Sequence, residues 1–282
     1  MIPWNRVTII GTGLIGGSLG LALKKAGLAR TIVGVGHRQT SLDEALARGA
    51  ADEITLDVAA GVRRSDLVVL ATPVGSFTEV LTRAKPALAA GAIVIDVGST
   101  KGEVVAEIES LIPKEVIFVP CHPIAGSEQR GVASAREDLF RGATCVVTPT
   151  DRTSVAALDR VVATWEALGM KVRILSPEGH DRTLAEVSHL PHVAAAALVR
   201  VIGIDAESFV GPGWGDTTRI ASGDAVLWRD ILMSNAEQIA AAVERLQGVL
   251  AAFRVALQQK DAGRIESLLA EAKARRDKLI KR

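Results

Sequence analysis

The sequence predicts an α/β fold: a doubly wound parallel sheet followed by an all-helical C-terminal domain. Three observations predict it. Short β-rich runs alternate with helical stretches over the first 176 residues, a glycine-rich turn joins the first strand to the first helix, and no strand signal returns after Pro177.

Arg6 to Ile10 (RVTII) is the first strand, GTGLIGG follows it directly, and helical periodicity runs from Ser18 to Ala26. In such a turn the first glycine permits the bend, the second lets backbone approach a pyrophosphate and the third allows close helix–strand packing. The helix start adds free N–H groups and positive dipole. Gly11, Thr12, Gly13, Leu14, Ile15 and Gly16 are therefore read as the pyrophosphate site of a Rossmann-type dinucleotide-binding domain; the plainer alternative is a glycine turn without a ligand. TIVGV (31–35), DLVVLATP (66–73), AIVIDVGS (92–99) and EVIFVP (115–120) supply further strands, with helices at 76–90 and 101–111 between them. Thr72, Pro73 and Ser99 stand at strand C-termini, where open α/β sheets bind ligands. About 20 residues past the glycine turn an acid would hold a free ribose 2′-hydroxyl. Gly36, His37 and Arg38 occupy that place instead, and a guanidinium suits a 2′-phosphate, so NADP is favoured over NAD unless Arg38 is a solvated loop residue.

TCVVTPT (144–150), a helix at 153–168 and a strand KVRIL (171–175) complete the first domain, 1–176. Ser176 reads as an N-cap and Pro177 as a first-turn residue. The second domain, 177–282, reads as helices at 177–201, 224–258 and 261–281, interrupted by a glycine-rich loop, GPGWGDTTRIASGD (211–224), that carries Trp214, Asp216 and Arg219. Ala194 to Ala197 read as a tightly packed helix face, with histidines turned to a cleft.

Composition narrows the function. Thirty-three basic and thirty-two acidic residues leave a net charge of +1, and 3% aromatics with no Tyr offer no base-stacking platform, so neither nucleic acid nor an anionic membrane is an expected partner. Cys121 and Cys145 form no CxxC pair and read as small core residues of a reducing compartment. The glycine-rich start is no signal peptide, no apolar run reaches about 18 residues, and a cytoplasmic location follows by default. His189 and His192 share a helix face if Pro191 only kinks it, but no HExxH pattern accompanies them and no metal is expected. His122 lies in PCHPIAGSEQRG after the last strand of the dinucleotide fold; Pro123 biases it to extended backbone, and its alternative role is a capping or core histidine. Ser99 has the form of a helix N-cap, Lys101 that of a solvated first-turn lysine, and His180 that of a structural histidine.

The segments GTGLIGGSLG, ATPV, DVGSTKG, HPIAGSEQRG, VSHLPH and DTTRIASGDAVLWRDI occur in an order that resembles the prephenate and arogenate dehydrogenases, over nearly the whole chain. The resemblance implies oxidative decarboxylation of a cyclohexadienol: hydride leaves to the nicotinamide, the hydroxyl becomes a carbonyl and the ring carboxylate departs as CO2. It implies His122 as the catalytic histidine, with Ser99 and Lys101 beside it. It implies His192 as a substrate-binding histidine, with His189 as a second motif histidine, Arg219 for a substrate carboxylate and Trp228 near the substrate unless it is a buried packing residue, Asp216 orienting Arg219 unless the two form a surface ion pair. A homodimer through the helical domain is implied, while no room is left for a regulatory or mutase domain after the last helix. Two alternatives stand: another dehydrogenase with a helical second domain, of β-hydroxyacid type, and a non-catalytic dinucleotide sensor. The choice between a pyruvyl and an alanyl side chain on the ring is open.

Overall fold

A computed structural model describes residues 2–126 and 129–280, leaving Ser127 and Glu128 of the HPIAGSEQRG segment outside the described residues. Strands β1 (Trp4–Ile10), β2 (Ala29–Val35), β3 (Glu53–Thr55), β4 (Leu67–Leu70), β5 (Ile93–Asp96) and β6 (Ile117–Val119) form one parallel sheet in the order β3-β2-β1-β4-β5-β6. The order reverses between β1 and β4, which opens a crevice at their C-terminal ends. β4, LVVL, is buried along its whole length because both faces of the sheet are covered. One face packs Val7, Ile9 and Val69 with Leu23 and Trp165; the other packs Val68 and Val94 with Phe77, Leu81 and Ile108. The covering helices are α1 (Leu14–Lys25), α2 (Gln39–Ala47), α3 (Val58–Val62), α4 (Phe77–Ala84), α5 (Gly102–Leu111) and α6 (Val155–Ala167). The edge strand β3 escaped the sequence reading because three residues carry no period.

A second, three-stranded sheet follows: β7 (Cys121–Ile124), antiparallel to β8 (Thr144–Val147), which lies parallel to β9 (Lys171–Ile174). His122 is thus part of a strand, paired with Val146, in the extended backbone expected ahead of Pro123.

Beyond it run α7 (Pro177–Leu184), one turn of π-helix (185–189), α8 (Leu190–Val201), α9 (Pro212–Thr218), α10 (Ala225–Ser234), α11 (Ala236–Gln258) and α12 (Ala262–Ile280). Ser176 caps α7, its Oγ accepting from Gly179 N at 3.0 Å. Pro191 has no N–H and crowds the carbonyl one turn back; the wider π-turn ahead of it accommodates both defects. The segment expected to be a glycine loop is instead α9 and a 3-10 turn (219–222), with Pro212 at the helix start. The helix expected over 224–258 breaks at Asn235, and of the alanines 194–197 only Ala195 is buried.

The chain forms two compact units, one ending at Asn235 and the other beginning at Ala236. The reason is local. The Asp181 carboxylate accepts from Lys101 N (2.8 Å) and Gly102 N (2.7 Å), and Thr100 and Ser234 share a hydroxyl hydrogen bond of 2.9 Å, so α7 and α10 are tied to the start of α5. In the second unit α11 and α12 meet across a turn at 259–261, where Asp261 Oδ1 accepts from Arg264 N.

Candidate active site

A cavity of about 740 Å³ opens at the crevice of the parallel sheet. Gly13, Leu14 and Ile15 line one end; Thr72, Pro73, Val74, Gly98, Ser99 and His122 line its floor. Gly11 bends the chain at φ +100°, and a Cβ there would stand 2.5 Å from Ala71 O. At Gly16 a Cβ would stand 2.0 Å from Gly11 O, so helix and turn are in close contact. At Gly13 it would meet no atom within 4 Å. The turn is therefore packed at its first and third glycines and open at its second, with the start of α1 behind it, uncapped by any side chain and free of acidic residues. Those features fit a dinucleotide pyrophosphate. His37 and Arg38 are exposed just past β2. Thr12 is buried, and Thr72 Oγ1 accepts from Ser76 Oγ at 2.9 Å.

His122 forms the floor and is 8% exposed. Its Nδ1 lies 2.8 Å from His180 Nε2, and His180 Nδ1 lies 2.7 Å from Asp181 Oδ1. Burial first, and then the positive charge of Lys101 and the neighbouring rings of His180 and His189, push the His122 pKa well below the ordinary histidine value. The ring is neutral at pH 7. Lys101 is fully buried, so the solvated reading is wrong. Its ammonium donates to Asp96 Oδ2 (2.8 Å), Gly98 O (2.6 Å) and Thr100 O (3.2 Å), so its charge stands near His122 without lining the cavity. Three acceptors use all its donors. Asp96, equally buried, also accepts from Gly98 N and Cys121 N, and so fixes the loop that carries Ser99 to the strand that carries His122. Ser99 is half-buried on the cavity wall and is not the cap of α5; Asp181 supplies that from another helix.

The roof comes from the helices. Ser188, His189, Asp224, Leu227, Trp228 and Ile231 face the floor residues. The His192 ring stacks on Trp228 with centroids 3.5 Å apart and planes 13° apart. Gly223 leaves room for this pair; a Cβ there would lie 2.6 Å from Trp228 Nε1 and 2.9 Å from His192 Cε1. Arg219 is exposed and lines an adjoining cavity of about 320 Å³ with Arg130, His192 and Trp228, while His122 lines only the larger one. Gly126, Gln129, Arg130, Asp224, Leu227 and Trp228 are common to both. Arg130 and Asp224 form an ion pair across this junction. Asp216, on α9, is exposed and lines neither cavity.

The family model for the nucleotide-binding domain of prephenate dehydrogenase matches residues 19–174, and that for the dimerization domain of prephenate dehydrogenase matches residues 176–271. The chain belongs to the prephenate dehydrogenase family. Similar members include a prephenate dehydrogenase of Bacillus subtilis, 32% identical over 98% of this chain and 76% of that one. A cyclohexadienyl dehydrogenase of Zymomonas mobilis is 32% identical over 93% and 91%. Among solved structures, prephenate dehydrogenase from Aquifex aeolicus in complex with hydroxyphenyl propionate and NAD+ aligns with a TM-score of 0.89 at 34% identity, covering 98% of each chain. As a prephenate dehydrogenase family member the chain is an oxidoreductase with a nicotinamide dinucleotide site, and it is the match to both family models, not that site, that sets it apart from the β-hydroxyacid-type alternative. Among the described residues no group of three or more His, Cys, Asp or Glu is placed to hold a metal, and no helix is long and apolar enough to cross a membrane.

Sequence reasoning read His180 as structural and passed over Asp181, Asn235 and Asp96. Only one carried a signal: an acid directly after His180, at the start of a helix, is a natural partner for a ring. The others reach the site through tertiary packing.

Proposed function

We propose that this chain oxidatively decarboxylates a cyclohexadienol carboxylate, prephenate or arogenate. The observation that carries this reading is the cavity itself: it runs without a break from the open Gly13 to a buried, neutral His122 and on to the His192–Trp228 stack. Gly11 to Gly16 would hold the pyrophosphate, with Thr72 and Pro73 beside the nicotinamide end; the bound dinucleotide supplies a hydride acceptor. His122 takes the hydroxyl proton as hydride leaves the same carbon, a contribution of about 10²–10⁴ in rate. The bond from ring to carboxylate then breaks, its electron pair enters the ring, CO2 departs, and His122 returns the proton to the phenolate oxygen. Ser99 donates to the oxygen that changes from hydroxyl to carbonyl. The His192–Trp228 stack forms an aromatic wall for the ring, and Arg219 at the adjoining cavity pairs with the side-chain carboxylate through its planar fork.

NADP is the favoured cofactor, since Gly36, His37 and Arg38 replace an acid at the end of β2. The chain is a homodimer through its helical part: a dimerization-domain model matches there, and Val201, Ile204, Phe209, Leu250 and Leu257 are exposed in the single chain.

The test is a four-way assay of prephenate and arogenate against NADP and NAD, followed spectrophotometrically with wild type and His122→Asn. Wild type is expected to reduce cofactor with at least one substrate, and the variant to bind both ligands while losing at least a hundredfold in kcat. A His122→Asn enzyme that keeps most of its kcat would remove the histidine from the chemistry.

A further inference from the structure

The two histidines that line the cavity differ in what stands behind them. Behind His122 is His180, and behind His180 the Asp181 carboxylate. Asp181 accepts from two backbone N–H groups at the start of α5, and a carboxylate only accepts. The hydrogen between it and His180 is then on His180 Nδ1. Burial keeps His180 from taking a second proton, leaving Nε2 bare. A bare Nε2 requires that His122 Nδ1 carry the hydrogen between the two rings, and the His122 Nε2 is left as an acceptor.

Behind His189 stands Asn235. Its Nδ2 lies 2.9 Å from the Asp181 backbone carbonyl, and because a carbonyl only accepts, the amide orientation is settled. The same Nδ2 lies 3.2 Å from His189 Nδ1, so it donates there and Nδ1 is bare. The hydrogen of a neutral His189 is therefore on Nε2. That atom is buried and has no hydrogen-bond partner among the described residues, although the ring lines the cavity. A buried donor without a partner is expensive, and a ligand oxygen would satisfy it.

We propose that the cavity is walled by two neutral imidazoles locked in opposite tautomers, His122 as a fixed acceptor and His189 as a fixed donor, set by the Asp181–His180 pair and by Asn235 respectively. This rests on the cyclohexadienol reading above and assigns each ring a part of the substrate. The acceptor meets the hydroxyl that loses its proton. The donor meets the ring carboxylate that leaves. A neutral donor suits a leaving carboxylate better than a guanidinium does, because a full positive charge would stabilise the bound anion more than the transition state in which its electrons move into the ring. Lys101, the buried cation near this end, is withdrawn from the cavity by Asp96 and two carbonyls. Asp181 joins the two devices, its carboxylate serving one and its backbone carbonyl the other.

The test starts with nitrogen NMR of wild-type protein labelled with ¹⁵N-histidine near pH 7.5, the signals assigned with His122→Asn and His189→Gln. Protonated Nδ1 with bare Nε2 is expected for His122, and the reverse for His189. The same tautomer on both rings, or a charged imidazolium on either, overturns the proposal without touching the assigned reaction. If instead wild type oxidises neither prephenate nor arogenate, the underlying reading fails and the tautomers stand as a structural fact. Two variants separate the roles. Asp181→Asn is expected to lower kcat at least tenfold with KM within twofold. Asn235→Leu is expected to raise substrate KM about tenfold while leaving the Kd for 4-hydroxyphenylpyruvate, which lacks the ring carboxylate, within twofold. Equal weakening of both ligands by Asn235→Leu would refute the donor role; a variant that does not fold leaves the wild-type spectrum to decide.

Discussion

Two glycines of the first turn, Gly13 and Gly16, predict opposite outcomes for one substitution. At Gly13 an alanine Cβ meets no atom within 4 Å, and φ is −76°, a value open to any residue. Gly13→Ala should therefore fold as well as wild type or gain roughly 0.4–1 kcal/mol from the stiffer unfolded chain. At Gly16 the same methyl lies 2.0 Å from Gly11 O and 2.9 Å from Ile9 Cγ2, and backbone must move. That overpacking costs about 3 kcal/mol or more, lowering Tm by roughly 6–12 °C for a chain of this size. Dinucleotide binding inverts the order. A methyl at Gly13 occupies the approach to the pyrophosphate and removes one or two charge-assisted hydrogen bonds, each worth about 1.5–3 kcal/mol, so Kd should rise about a hundredfold. Thermal unfolding of both variants, with fluorescence titration of NADP and NAD into Gly13→Ala, measures each effect. If Gly13→Ala binds both dinucleotides within threefold of wild type, the open space is not where the pyrophosphate passes.

Lys101→Met leaves Asp96 buried without its ammonium and should destabilise by about 3–5 kcal/mol in urea unfolding; a loss under about 1 kcal/mol would contradict a tight pair. Burial lowers the pKa of His122, His180, His189 and His192. The unfolded chain therefore takes up protons first as pH falls below 6.5, and stability declines from there until the folded values are passed. His189, held at about 4, contributes about 3 kcal/mol of that loss by pH 4. Chemical denaturation between pH 7 and pH 4 should show the decline, reduced in His189→Gln; a flat profile would contradict it. Arg38→Ala should raise the KM for NADP about tenfold and leave that for NAD unchanged, an equal effect on both placing Arg38 outside the ribose site. Light scattering at micromolar concentration should give twice the chain mass of 29.6 kDa, and a monomer mass would refute the dimer.

What the sequence by itself determined were the features carried by short-range rules. The strand–turn–helix around Gly11 to Gly16, the hydrophobic runs of β1, β2, β4 and β5, and the Ser176–Pro177 helix start each depend on neighbours within a few positions. His122 was legible as a candidate because a histidine before proline at the end of such a sheet is chemically conspicuous. Short-range rules misread GPGWGDTT as a loop, since four residues of low helix propensity outweighed packing that propensity does not see. Only the tertiary structure decided which groups act together. Lys101 and Asp96 close a buried pair, Asp181 caps the start of α5 from eighty positions away in the chain, and Asn235 reaches both Asp181 and His189. A hydrogen bond is specified by the position of two atoms in space, and when its partners lie on different elements no local pattern records it. Hence a candidate base could be read along the chain, while the partners that stand behind each ring depended on the fold.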